Sequence, residues 1–74
     1  MNLQNLKKIR VNVVDVKWEG EELAPAYYVT LGVNKDIQSD GIYYRVKEYL
    51  NTRHPKSRVK SFTIKEVQDV QGGA

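Results

Sequence analysis

The segment from Ser39 to His54 most constrains the fold, because it is the stretch with a clear helical pattern. Its apolar residues recur at the spacing of one helix face: Ile42, Val46, Tyr49 and Leu50. Pro55 ends the predicted helix, since a residue that precedes proline is disfavoured in the α region. One helix cannot bury its own apolar face, so the flanking sequence must supply a partner layer.

Three segments rich in β-branched and aromatic residues predict strands over residues 9–18, 27–33 and 58–67. We expect a single small α+β domain over residues 1–74, with the order β-β-α-β. The predicted sheet is three-stranded and antiparallel in the order 2-1-3, with the helix packed across one face. The ordered core is expected over about residues 9–67, with flexible ends at 1–8 and 68–74.

The apolar side chains of the first strand change sides near Val13 and Val14. A strand that keeps strict alternation would place Val13 on one face and both Val14 and Val16 on the other. The pattern therefore requires either a β-bulge at this point or a strand covered on both faces.

The composition favours a cytoplasmic protein. The chain has 74 residues and no cysteine, which excludes disulfides and cysteine-based metal sites. No apolar run approaches the roughly 20 residues that cross a bilayer, and the N-terminal segment lacks the pattern of a signal peptide. We therefore expect no membrane partner.

The sheet face opposite the helix is the first candidate interaction surface. The residues predicted to be exposed on it are Val14, Val16, Trp18 and Tyr28. Together they would form a larger apolar patch than a small monomer usually exposes. We therefore expect this face to pack on a second copy, which gives a homo-oligomer, a dimer or higher. In the alternative, a bulge turns most of these residues inward and leaves Trp18 partly exposed at the rim.

The second candidate surface is a basic stripe along the end of the helix, the following loop and the last strand. Its predicted members are Arg45, Lys47, Arg53, Lys56, Arg58, Lys60 and Lys65. Several cations that contact phosphates give salt-dependent nucleic-acid binding, and the neighbouring tyrosines 43, 44 and 49 could stack on unpaired bases. In the alternative, the same charges are a solvated helix end and an edge strand that lysine protects from pairing.

The sequence offers little for catalysis or metal binding. His54 is the one histidine, and the sequence has no cysteine and no phosphate-binding glycine loop. Beside Arg53 and Lys56 it could act as a general base on a phosphodiester, but a histidine before a helix-ending proline is more often a surface residue. The run from Asp36 to Gly41 resembles the first half of a calcium loop, but the twelfth position is Lys47 where a glutamate is needed. We expect no catalytic residue, no metal and no cofactor.

These observations favour a non-catalytic binding or assembly module that acts through protein–protein interaction, as an oligomer. Small accessory proteins of phages and mobile elements are of this kind. The alternative function is nucleic-acid binding through the basic stripe.

Overall fold

The computed structural model describes residues 5–70 and confirms the predicted α+β architecture. Strand β1 spans Leu6–Gly20, β2 spans Tyr27–Asn34, helix α1 spans Ser39–Arg53 and β3 spans Ser57–Asp69. The sheet is antiparallel in the order β2-β1-β3, as the sequence predicts.

The first and last strands of the chain, β1 and β3, are longer than predicted. Residues 6–8 belong to β1 and residues 68–69 to β3, although both segments were expected to be flexible. They are held by ladder bonds, including one from the Val70 amide to the Lys8 carbonyl at 2.9 Å. The rest of the predicted flexible ends, 1–4 and 71–74, lies outside the described residues.

A β-bulge in β1 decides which side chains enter the core. The register with β3 shifts between Val14 and Lys17, and Asp15 has a φ of 53°. Aspartate tolerates this left-handed conformation better than most residues because its short polar side chain bonds locally. The extra residue reverses the alternation of the strand, so Val13 and Val16 both join the core. Of the two explanations for the apolar pattern, the bulge is therefore correct.

Helix α1 covers one face of the sheet with the apolar stripe that its spacing predicts. Val46 and Leu50 are fully buried against the valines and leucine of β1 and β2, while Ile42 and Tyr49 are partly buried at the margin. The helix ends at Arg53, one residue earlier than predicted, and His54 is its C-cap. The core has no polar defect, since every buried side-chain nitrogen and oxygen among the described residues has a hydrogen-bond partner.

Candidate functional site

The open face of the sheet is not the apolar surface that the sequence predicts. Val16 is 4% exposed and belongs to the core, and Trp18 packs against that core on the helix side. The prediction that both lie on the open face is wrong, because the bulge at Asp15 turns this half of β1 over. Val14 and Tyr28 do lie on the open face, Val14 partly exposed and Tyr28 73% exposed.

Polar groups surround Tyr28 on the open face. Its partner across the strand pair is Asn12, and Arg10 lies opposite Thr30. Further members of this face, by register, are Leu6, Lys8, Gly32, Asn34, Thr63, Glu66 and Gln68, of which Leu6 is apolar and exposed. Face-to-face packing of two such surfaces would bury the charges of Lys8, Arg10 and Glu66 together with the apolar groups, which removes most of the apolar argument for an interface on this face.

Trp18 forms an aromatic cluster at the end of the helix. Its ring centroid lies 5.1 Å from that of His54 and 6.1 Å from that of Tyr27, both in edge-to-face geometry. The indole nitrogen donates a hydrogen bond to the Ala24 carbonyl at 3.1 Å. Burial raises the pKa of the Tyr27 phenol above its ordinary value. His54 thus contributes to packing, with no nucleophile beside it in the cluster.

The predicted basic stripe is divided among separate surfaces. Arg45 and Arg53 lie on the flank of α1 that faces β2, where Arg45 donates to the Gly32 carbonyl and Arg53 lies over the ring of Tyr49. Lys60 borders a depression under the loop between β1 and β2. Lys65 is exposed in β3 where the register with β1 shifts again.

Three residues of the predicted stripe do converge, in a pocket of about 630 Å³ between α1 and the start of β3. Lys47 enters from the helix, Lys56 from the loop and Arg58 from the strand. Asn51 lines the same pocket, and its Oδ1 accepts a hydrogen bond from the Val59 amide at 2.8 Å. Within residues 5–70, the one ion pair within 4.0 Å joins Lys7 and Asp69, so these three cations have no carboxylate at that distance.

An exposed aromatic ring lies beside this pocket. Tyr44 is 72% exposed and borders a second depression of about 350 Å³. Lys47 and Asn51 line both hollows, which are therefore adjacent on the outer face of the helix. Tyr43 differs, because it stacks on Phe62 with ring centroids 4.2 Å apart. Of the two adjacent tyrosines, Tyr44 is the more exposed.

The free edge of β2 is a further interaction feature, because an open three-stranded sheet leaves two edges that can accept another strand. Strand β2 contains no charged residue and no proline, and it pairs with β1 over eight residues without a register shift. The Lys8 carbonyl points toward β3, since it accepts from the Val70 amide. Backbone groups of residues two apart in a strand point to the same side, so those of Arg10 also point toward β3. Thr30, which lies opposite Arg10, therefore directs its backbone amide and carbonyl away from the sheet. Gly32 shares this orientation, since its carbonyl accepts from Arg45 at 3.3 Å.

The edge formed by β3 has features that discourage pairing and that β2 lacks. It carries exposed Lys60, Lys65 and Glu66 and three register irregularities. One of its outward amides, that of Val59, is already bonded to Asn51. The signal that distinguishes the two edges was visible in the sequence as the absence of charge between residues 27 and 34.

Among the described residues, no three histidine, aspartate or glutamate side chains are close enough together to hold a metal ion. Asp36 and Asp40, which suggested a calcium loop, are both exposed. Within residues 5–70 the structure contains no helix with the length and apolar character that a bilayer crossing requires. Comparisons with protein-family models, with curated proteins and with solved structures found no match to this chain.

Proposed function

We propose that this protein is a non-catalytic assembly module that pairs with a second copy of itself through the free edge of β2. The observation that carries the proposal is the contrast between the two edges of one sheet. Strand β3 has the charges and bulges with which proteins protect an edge, and β2 has none of them. The proposal keeps the cytoplasmic location and the homo-oligomeric state expected from the sequence.

The geometry favours a symmetric dimer. Two β2 strands that meet antiparallel about a two-fold axis perpendicular to the sheet use the same surface on each copy. The result is a continuous six-stranded sheet with both helices on one face. Outward backbone groups, such as those of Thr30, would then find the partners that the isolated edge lacks.

The expected affinity is modest. A fully paired eight-residue edge forms about eight backbone hydrogen bonds, each with a net value of about 0.5–1.5 kcal/mol. Association costs about 4–15 kcal/mol in lost translational and rotational freedom, so the two terms are of similar size. We therefore expect a reversible dimer whose population rises with protein concentration.

Arg45 is the one helix side chain within the described residues that donates to this edge, through the Gly32 carbonyl. At 3.3 Å the bond is longer than most hydrogen bonds of its type, and its donor is exposed. It covers one end of the strand and leaves Thr30 and Tyr28 open. A guanidinium held this way is readily replaced by the amide of an incoming strand.

The test uses two lysine substitutions on the same face of the sheet. Thr30→Lys places charge on the β2 edge, whereas Thr63→Lys adds the same charge on β3. We expect the wild type and T63K to dimerise with rising concentration in analytical ultracentrifugation, and T30K to remain monomeric. A wild type that stays monomeric at high micromolar concentration would overturn the proposal, as would equal loss of dimer in both variants.

A proline substitution separates the backbone contribution from that of the side chain. Thr30→Pro removes the outward amide but spares the ladder to β1, because that amide does not bond β1. We expect it to weaken the dimer while the circular dichroism of the monomer is retained. Full dimerisation of a folded T30P variant would show that the copies associate through another surface.

A further inference from the structure

We infer that the groove formed by Tyr44, Lys47, Asn51, Lys56 and Arg58 is a binding site for single-stranded nucleic acid. This groove lies between α1 and the start of β3 and is independent of the β2 edge. The groove contains three residues of the predicted basic stripe and two uncharged residues, Tyr44 and Asn51.

Charge is the first argument for this ligand. Lys47, Lys56 and Arg58 come from three different segments and line one concavity, so the fold places like charges together. Within residues 5–70 none of them has a carboxylate within 4.0 Å. Glu19, the cross-strand partner of Arg58, lines the pocket and Glu48 lines the adjoining depression, so three cations and two carboxylates leave a net charge of +1. A phosphate would relieve the mutual repulsion of the three cations.

The neighbouring ring is the second argument. Tyr44 presents a face that is 72% exposed, at the outer end of the same groove. Base-on-aromatic stacking is available to any base, but only when the base is unpaired. A duplex keeps its base faces inside the stack, so the combination of a ring and a basic pocket favours a single strand.

The length of the groove is the third argument. Tyr44 and Asn51 are seven residues apart on the helix, which corresponds to about 10 Å along its axis. Lys56 and Arg58 extend the surface beyond that point. Neighbouring phosphates in one strand are about 3.4 Å apart along the axis of a duplex. A segment of several nucleotides therefore fits this surface better than a single phosphate ion does.

Asn51 holds the groove in place. Its Oδ1 accepts a hydrogen bond from the Val59 amide, which connects the helix to the start of β3. The side chain is partly buried at this contact, so it lines both hollows in a fixed orientation. The cations of the helix and of the strand are thereby kept at a constant separation.

The first experiment measures salt dependence with a fluorescently labelled oligothymidylate. Three phosphate contacts predict that the logarithm of the association constant falls with the logarithm of the salt concentration at a slope of about −2. Lys56→Gln is expected to lower the magnitude of this slope to about 1.4. Lys65→Gln removes the same charge from an exposed position outside the groove and is expected to leave the slope unchanged.

The second experiment compares two tyrosines of equal exposure on opposite faces of the domain. Tyr44→Leu is expected to weaken oligothymidylate binding about 5- to 150-fold, the range expected for the loss of one base stack. Tyr28→Leu removes a ring that is 73% exposed on the open sheet face. Because Tyr28 lies on β2, both variants are compared at a protein concentration below that of dimerisation, where Y28L is expected to leave binding unchanged. Circular dichroism of each variant verifies the fold.

Three results would overturn the inference. The first is the absence of binding at about 50 mM salt, where phosphate contacts are strong. The second is an equal effect of K56Q and K65Q, or of Y44L and Y28L, which would indicate general charge or general surface effects. The third is competition by polyglutamate as effective as that by unlabelled oligothymidylate, because a polyanion without bases would then suffice. Thr30→Lys, which tests the dimer, leaves the groove intact, so the two proposals fail separately.

Discussion

Replacement of Val16 by alanine is expected to destabilise the protein far more than the same change at Val14. Val16 is 4% exposed in the core, whereas Val14 is partly exposed on the open face. Removing two buried carbon groups costs about 1.6 kcal/mol in transfer free energy, and the cavity left behind raises this to about 2 kcal/mol. At Val14 we expect a cost of about 0.5 kcal/mol from partial burial.

Urea unfolding followed by the fluorescence of Trp18, the one tryptophan, measures both variants. A domain of 74 residues has a stability of about 4–11 kcal/mol, so both variants remain folded without denaturant. With a urea dependence of about 1 kcal/mol per molar, V16A lowers the midpoint by about 2 M and V14A by about 0.5 M. The lower strand propensity of alanine affects both variants and cancels in the comparison.

The opposite order of stabilities would refute the assignment of the bulge. If Asp15 were an ordinary strand residue with no bulge, strict alternation from Val13 would place both Val14 and Val16 on the open face. Equal losses in the two variants, or a greater loss in V14A, would therefore mean that β1 runs through this region in a different register.

Three further predictions concern the fold. Gly20→Ala is expected to destabilise the protein by about 1–2 kcal/mol, because Gly20 has a φ of 105° and an added Cβ would lie 2.9 Å from a backbone carbonyl. Gly32→Ala, which meets nothing within 4 Å, should not lower the melting temperature; similar melting temperatures for the two variants would contradict this account. Asn51→Ala should lower the free energy of unfolding by about 1–3 kcal/mol, because the Val59 amide loses its hydrogen-bond acceptor. Asn51→Asp keeps an acceptor and should lower it less, and chemical denaturation measures both changes. Because burial raises the pKa of Tyr27, the folded state favours the neutral phenol. This contribution to stability is present below the unfolded pKa of about 10 and is lost as pH rises through the folded pKa. A spectrophotometric titration of Tyr27→Phe should therefore lack one high-pH tyrosine transition, and an unchanged titration would exclude this assignment.

The element order and the helix stripe could be predicted because they depend on local periodicity. Val46 and Leu50 are buried where their spacing places them, and the strand order 2-1-3 follows from topology and the charge of the last strand. The bulge could be stated only as one of two alternatives. Its position depends on one residue in the left-handed region, and Asp15 does not signal that conformation as glycine would.

The basic stripe was overestimated for a reason that helix geometry explains. At 3.6 residues per turn, Lys47 lies about 200° around the helix from Arg45, so the two cannot share one flank. The convergence of Lys56 and Arg58 with Lys47 depends on how α1 docks on β3, which no local pattern encodes. The difference between the two edges is visible in the sequence as the absence of charge in β2, whereas the outward direction of the Thr30 amide depends on the register with β1.

The bulge also decides which changes in length β1 can accept. Asp15 is the extra residue of the strand, so its deletion would restore strict alternation and leave Val16 and Trp18 on the core side. The deletion of Lys17 would instead shift Trp18 and the residues after it to the opposite side, where the indole would face water. Among descendants of this sequence, we expect the loss of position 15 to be tolerated more often than the loss of a neighbouring residue of β1.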